Sequence, residues 1–196
     1  MRQPSIRKVL ALAALAALAP AAAFAHPGHP GHEGLGLAGG FAHPFSGADH
    51  MLAMVAVGLW AALRGGRAVW AWPAAFVCAM VLGFAFGQAD ALAWSVEPAV
   101  LASVIVLGAL TAAQARAPLG WGVVLIGAFG AAHDAHGAEA PGASAAYPLG
   151  FALATASLHL AGLGAGLALQ RFGRPGAIRL LGAGAAAGGL ILAVAA

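Results

Sequence analysis

Read for its hydrophobic and polar positions, the chain is a series of long apolar runs parted by short breaks rich in Gly, Pro, Ala or charge. Beyond residue 25, six runs approach the ~20 residues that cross a bilayer core as a helix: roughly 36–62, 68–87, 96–113, 118–136, 147–169 and 177–195. None of them alternates as a half-buried strand does. The short breaks make sequential helices antiparallel neighbours. The expected fold class is all-α, a polytopic membrane protein with six transmembrane helices.

The first 25 residues carry a different pattern. Arg2, Arg7 and Lys8 precede the apolar run Val9–Ala19, and Ala23-Phe24-Ala25 supplies a small-x-small cleavage site. That is the layout of a secretory signal peptide. The run is short for a span, and Pro20 follows it. The chain therefore divides into a cleaved signal peptide at 1–25, a His-rich periplasmic tail at 26–35 and a six-helix permease domain at 36–196.

Composition agrees with the membrane reading. The chain is 62% hydrophobic and 8% charged, whereas a soluble domain carries about 25% charged residues. Its 29 glycines suit helices that pack backbone to backbone in lipid. Three of the nine basic residues lie in the signal peptide, so six arginines then match six acids. The basic balance thus gives no reason to expect nucleic acid. Cys78 is the single cysteine, which excludes an internal disulfide and a cysteine metal cage.

Charge also sets the orientation. Cleavage leaves His26 on the outer side, so the breaks after the first, third and fifth spans face the cytoplasm. Those breaks or their edges hold Arg64 and Arg67, Arg116, and Arg171, Arg174 and Arg179. The outer connections hold Asp90 and Glu139 and no Lys or Arg. Short loops with excess arginine stay inside. The expected location is the bacterial inner membrane, with a periplasmic N-terminus. The lipid bilayer is one partner, and a homo-oligomer is left open.

Within an apolar span, ionisable residues cost about 2.5–3.5 kcal/mol each at the bilayer centre. The first span nevertheless holds His43, Asp49 and His50. The third opens with Glu97-Pro98, the fourth ends in His133, His136 and, just beyond, Glu139, and the fifth carries His159. Imidazole suits nickel, cobalt, zinc and copper, and carboxylates add neutralising charge. All of these residues fall in the outer half or at the midplane, as in a funnel open to the outside.

His43 precedes Pro44, so it is expected to cap a helix that begins at the proline. His50 then lies on the same side, about 10 Å further along a regular helix. That is too far for one shared ion unless the segment bends, and Gly47 is the place for a bend. Met54 is one turn past His50 and could add a thioether, although packing explains it as well. His159 reads either as a ligand or as a helix–helix hydrogen-bond partner, and Glu97 either as a ligand or as a helix start. The tail adds His26, His29 and His32 between prolines, an extended segment suited to collecting metal or simply to solvation.

The stretch HPFSGADHMLAM resembles the HupE/UreJ family of nickel and cobalt permeases, whose mark is His, five residues and Asp-His. His43, Asp49 and His50 fill that pattern. A second family motif, close to Phe-His-Gly-x-Ala-His-Gly-x-Glu, is kept at Ala135, His136, Gly137 and Glu139. Ala131, Ala132 and His133 replace its first three residues, so His133 stands one position past the family's first histidine.

The resemblance implies import of Ni²⁺ or Co²⁺ to supply hydrogenase, urease or cobalamin synthesis. The ion is cargo, a divalent metal, and no permanently bound cofactor is implied. His43, Asp49 and His50 form the expected main site, with His136 and Glu139 at the outer mouth and His133, Glu97 and His159 as further candidates. No Walker motif is present, so a membrane potential or ion gradient must drive uptake. The chain is read as a transporter and not an enzyme. An intramembrane metalloenzyme, or a metal-binding sensor or accessory protein, are the alternatives, and neither HExxH nor GxSxG occurs.

Overall fold

The computed structural model describes residues 36–87, 96–137 and 144–195. Seven helices account for nearly all of them: α1 Leu37–Ser46, α2 Ala48–Arg64, α3 Ala68–Gly87, α4 Val96–Ala112, α5 Leu119–Gly137, α6 Tyr147–Arg171 and α7 Pro175–Ala195. No strand occurs among the described residues. Residues 1–25, read above as a signal peptide, and the histidines of the tail, His26, His29 and His32, lie outside them, as does Glu139.

By length and composition, α6 and α7 can each cross a membrane, and the bent pair α1–α2 can do so together. Three further apolar stretches, Ala68–Phe84, Glu97–Ala112 and Leu119–His133, are shorter than that. The outward faces carry apolar side chains: Val194, Leu180, Val124, Ile191 and Leu160 are among the most exposed large hydrophobic residues. An aqueous surface of this kind would be a liability, whereas lipid solvates it.

The first apolar run is not one rod. It breaks at Gly47, and the axes of α1 and α2 meet at 86°. Gly47 is extended, with φ −110° and ψ 127°. The expected cap at His43 is therefore corrected: His43 and Pro44 both lie inside α1, and the second helix starts after Gly47. Space rather than φ accounts for glycine here. A Cβ at residue 47 would stand 2.5 Å from Asp49 Oδ1 and 3.1 Å from His50 Nδ1.

Small residues let α6 act as the common support of both pieces. Gly40 of α1 packs on the Tyr147 carbonyl, and Gly150 of α6 packs on the Leu37 carbonyl. Lower down, Gly58 of α2 meets the His159 carbonyl and Gly162 meets that of Val55. In each pair a methyl group would collide with backbone, so the close approach depends on glycine. Elsewhere α3 packs on α5 and α4 on α7. The buried core gathers Met54, Trp60, Trp72, Phe76, Met80, Leu107, Ile126 and Phe151.

One end of the bundle is tied by side chains that hydrogen-bond to backbone carbonyls. Trp60 Nε1 donates to Ala115, Arg64 Nε to Ala117 and Trp72 Nε1 to Leu119, at 2.9–3.1 Å. Gln170 Nε2 donates to Ala62, and Gln114 Nε2 to Pro175. These bonds join the breaks after α2, α4 and α6, so the arginines of those breaks share one end. The imidazoles of α1, the start of α2 and the last turns of α5 lie toward the other.

Candidate metal site

The break at Gly47 folds α1 back so that its His43 ring meets the His50 ring of α2. Their centroids are 5.3 Å apart, with planes at 84°. On its other side His50 meets His133 of α5, at 5.1 Å and 80°. Three imidazoles from three helices thus form one row. Tyr147 and Phe151 of α6 flank His43 at 6.2 and 5.2 Å, and Phe76 of α3 flanks His133 at 5.0 Å. Both His50 and His133 are almost wholly buried.

Hydrogen bonds fix two of these rings. Asp49 Oδ1 accepts the backbone N–H of His50 at 2.7 Å and the His50 Nδ1–H at 2.9 Å. The carboxylate stands in the first turn of α2, where the helix dipole and otherwise unpaired N–H groups favour an anion. His133 Nδ1 lies 2.9 Å from the Phe129 carbonyl one turn earlier in α5. A carbonyl only accepts, so the proton sits on Nδ1 and the lone pair on Nε2. The same holds for neutral His50 against a carboxylate. This is the arrangement in which an outer group orients an imidazole for a metal.

The row is not a closed cage. Among the described residues, no group of three or more His, Cys, Asp or Glu is arranged to hold a metal ion as it stands. The rings meet edge to face and do not aim at one point.

The remaining candidates separate from this row. Glu97 lies exposed in the first turn of α4, in a shallow groove lined by Pro98, Leu101, Ala102, Ile105 and Ala193. Among the described residues, no histidine lines that groove. Met54 is fully buried in the apolar core. His136 belongs to the last turn of α5, but its side chain lies outside the described set, as Glu139 does. His159 is buried on α6, and its ring meets Phe76 at 5.0 Å.

The aromatic neighbours of the row, Tyr147, Phe151 and Phe76, were not singled out from the sequence. Their signal is a four-residue spacing of buried positions: Tyr147, Phe151, Thr155 and His159 on α6, and Trp72, Phe76 and Met80 on α3.

The HupE/UreJ protein family model matches residues 12–192. The chain belongs to the HupE/UreJ family. A curated relative of the same family, "Protein HupE" of Rhizobium leguminosarum bv. viciae, is 42% identical over 164 residues, covering 81% of this chain and 85% of the relative. No solved structure matches. For this HupE/UreJ member, the Asp-His pair that marks the resemblance is thus also the pair that opens α2.

Proposed function

We propose that this protein is a secondary transporter that imports Ni²⁺ or Co²⁺ across the bacterial inner membrane through six spans. The observation that carries the reading is the row His43–His50–His133, assembled from three helices within an apolar bundle. Burying two imidazoles, with a third and a carboxylate half-buried beside them, is costly for packing alone. Neutral imidazoles with oriented ring protons are good ligands for borderline divalent ions.

Asp49 serves chiefly to hold His50 and to lend negative charge to the arriving ion. His136 and Glu139 stand at the outer mouth, and the tail histidines His26, His29 and His32 collect ions above it. The arginine-bearing breaks face the cytoplasm, in keeping with the positive-inside rule. The signal peptide is removed, which leaves the new N-terminus in the periplasm. Membership of the HupE/UreJ family supports transport over catalysis.

The test is uptake of radiolabelled nickel or cobalt into proteoliposomes, with His50→Ala in parallel. Accumulation in the lumen that is lost in His50→Ala supports the reading. Binding without accumulation would leave a sensor or accessory protein. Accumulation unchanged in His50→Ala would refute the site.

A further inference from the structure

Beyond the histidine row, α3 and α6 run antiparallel with matched buried stripes. Thr155 Oγ1 of α6 donates to Met80 Sδ of α3 at 3.6 Å. One turn on, His159 of α6 meets Phe76 of α3 at 5.0 Å and 86°. Phe76 also meets His133 at 5.0 Å, so this one ring stands between two imidazoles. His159 is 1% exposed, and neither of its ring nitrogens has a hydrogen-bond partner among the described residues. The helix–helix hydrogen bond that would explain an intramembrane histidine is therefore absent from its surroundings.

A buried imidazole with neither donor nor acceptor used is costly, and a native chain keeps such a group when something pairs with it part of the time. Along α6, His159 lies two turns past Phe151, about 12 Å deeper than the ring that flanks His43 and His50. Thr155 and Met80 sit between, and offer an oxygen and a thioether. Past His159 stand Trp60 and Trp72, tilted together with ring centroids 4.4 Å apart and planes at 36°.

Resting on the transport reading, we propose that His159 is a second, inner ligating station for a borderline divalent cation. Phe76 is the partition between it and the outer row, and Met80 and Thr155 lie along the way. An ion held by His50 and His133 passes the edge of Phe76, rests on His159, and leaves when the Trp60–Trp72 end opens. No bond other than metal–ligand contacts forms or breaks.

The experiment uses Co²⁺ as probe on the full chain, with equilibrium binding in detergent and uptake in proteoliposomes. Two variants are compared with the unmodified protein and His50→Ala. His159→Ala removes the ring, and His159→Gln keeps a donor and an acceptor but is a poor ligand. Both are expected to lose one bound equivalent of Co²⁺, keep the outer equivalent that His50→Ala loses, and slow uptake by roughly tenfold or more.

Full uptake and undiminished binding in either variant would overturn the proposal, because the nitrogens then serve only structure or an internal water. Loss of all binding in His159→Gln would overturn it too, since His159 would then belong to the outer site. If the unmodified protein binds Co²⁺ without accumulating it, the transport reading fails. The equivalent lost in His159→Gln still decides the inner station.

Discussion

The two ends of the bundle treat polar groups in opposite ways. At the arginine end, Arg64, Trp60, Trp72 and Gln170 each give a ring, guanidinium or amide N–H to a backbone carbonyl in or beside a break between helices. Those bonds fasten the breaks. At the histidine end, imidazoles from α1, α2 and α5 lie ring to ring, and His133 Nε2 is buried with no hydrogen-bond partner among the described residues. One end uses polarity to close a structure. The other buries a ring nitrogen with no such bond among the described residues.

That contrast can be broken from the middle with the largest effect. Gly162→Leu would drive a side chain into the Val55 carbonyl and part α2 from α6. An overpacked helix contact costs about 3 kcal/mol, and here it also separates the elements that carry His50 and His159. The expected result is poor recovery of monodisperse protein and a clearly lowered melting temperature. Normal recovery would show that the glycine contact is not what holds the ends in register.

A smaller effect, confined to the histidine end, is expected of Asp49→Asn. The side chain keeps its size but loses the charge that orients His50. Loss of an orienting partner lowers metal affinity by about 10–100-fold, with the melting temperature little changed. Nickel or cobalt titration checks it, and unchanged affinity would remove Asp49 from the site.

Arg64→Ala sharpens the comparison from the other end. It should reduce stability by about 1–3 kcal/mol through the lost charged hydrogen bond to Ala117. Metal affinity should stay as it was, as measured by the same titration. The smallest change is expected from Met54→Leu, a volume-conserving swap in the core that costs less than about 1.5 kcal/mol. Weakened metal binding in that variant would make Met54 a ligand after all.

Much of this architecture is legible in the chain itself. The helices α3 to α7 begin and end within about two residues of the apolar runs, since in lipid the length of an apolar stretch and its punctuation set the element. Gly47 could be named as a bend because the seven-residue gap between His43 and His50 otherwise keeps them apart. The direction of the break could not be read. It depends on α6 offering Gly150 to α1 and Gly162 to α2, contacts more than a hundred residues distant in sequence. His133 stood one position off the family motif, yet its ring is the third in the row. Conversely, Glu97 has the right chemistry but opens onto a separate groove, because helix rotation is decided by packing partners that its own neighbours do not reveal.

The most direct test of the central claim is the nickel X-ray absorption spectrum of the loaded protein, with His50→Ala alongside. Ligation by the histidine row predicts the scattering pattern of two or more imidazoles around the ion, reduced in the variant. A shell of oxygen atoms only, the same in both proteins, would contradict it.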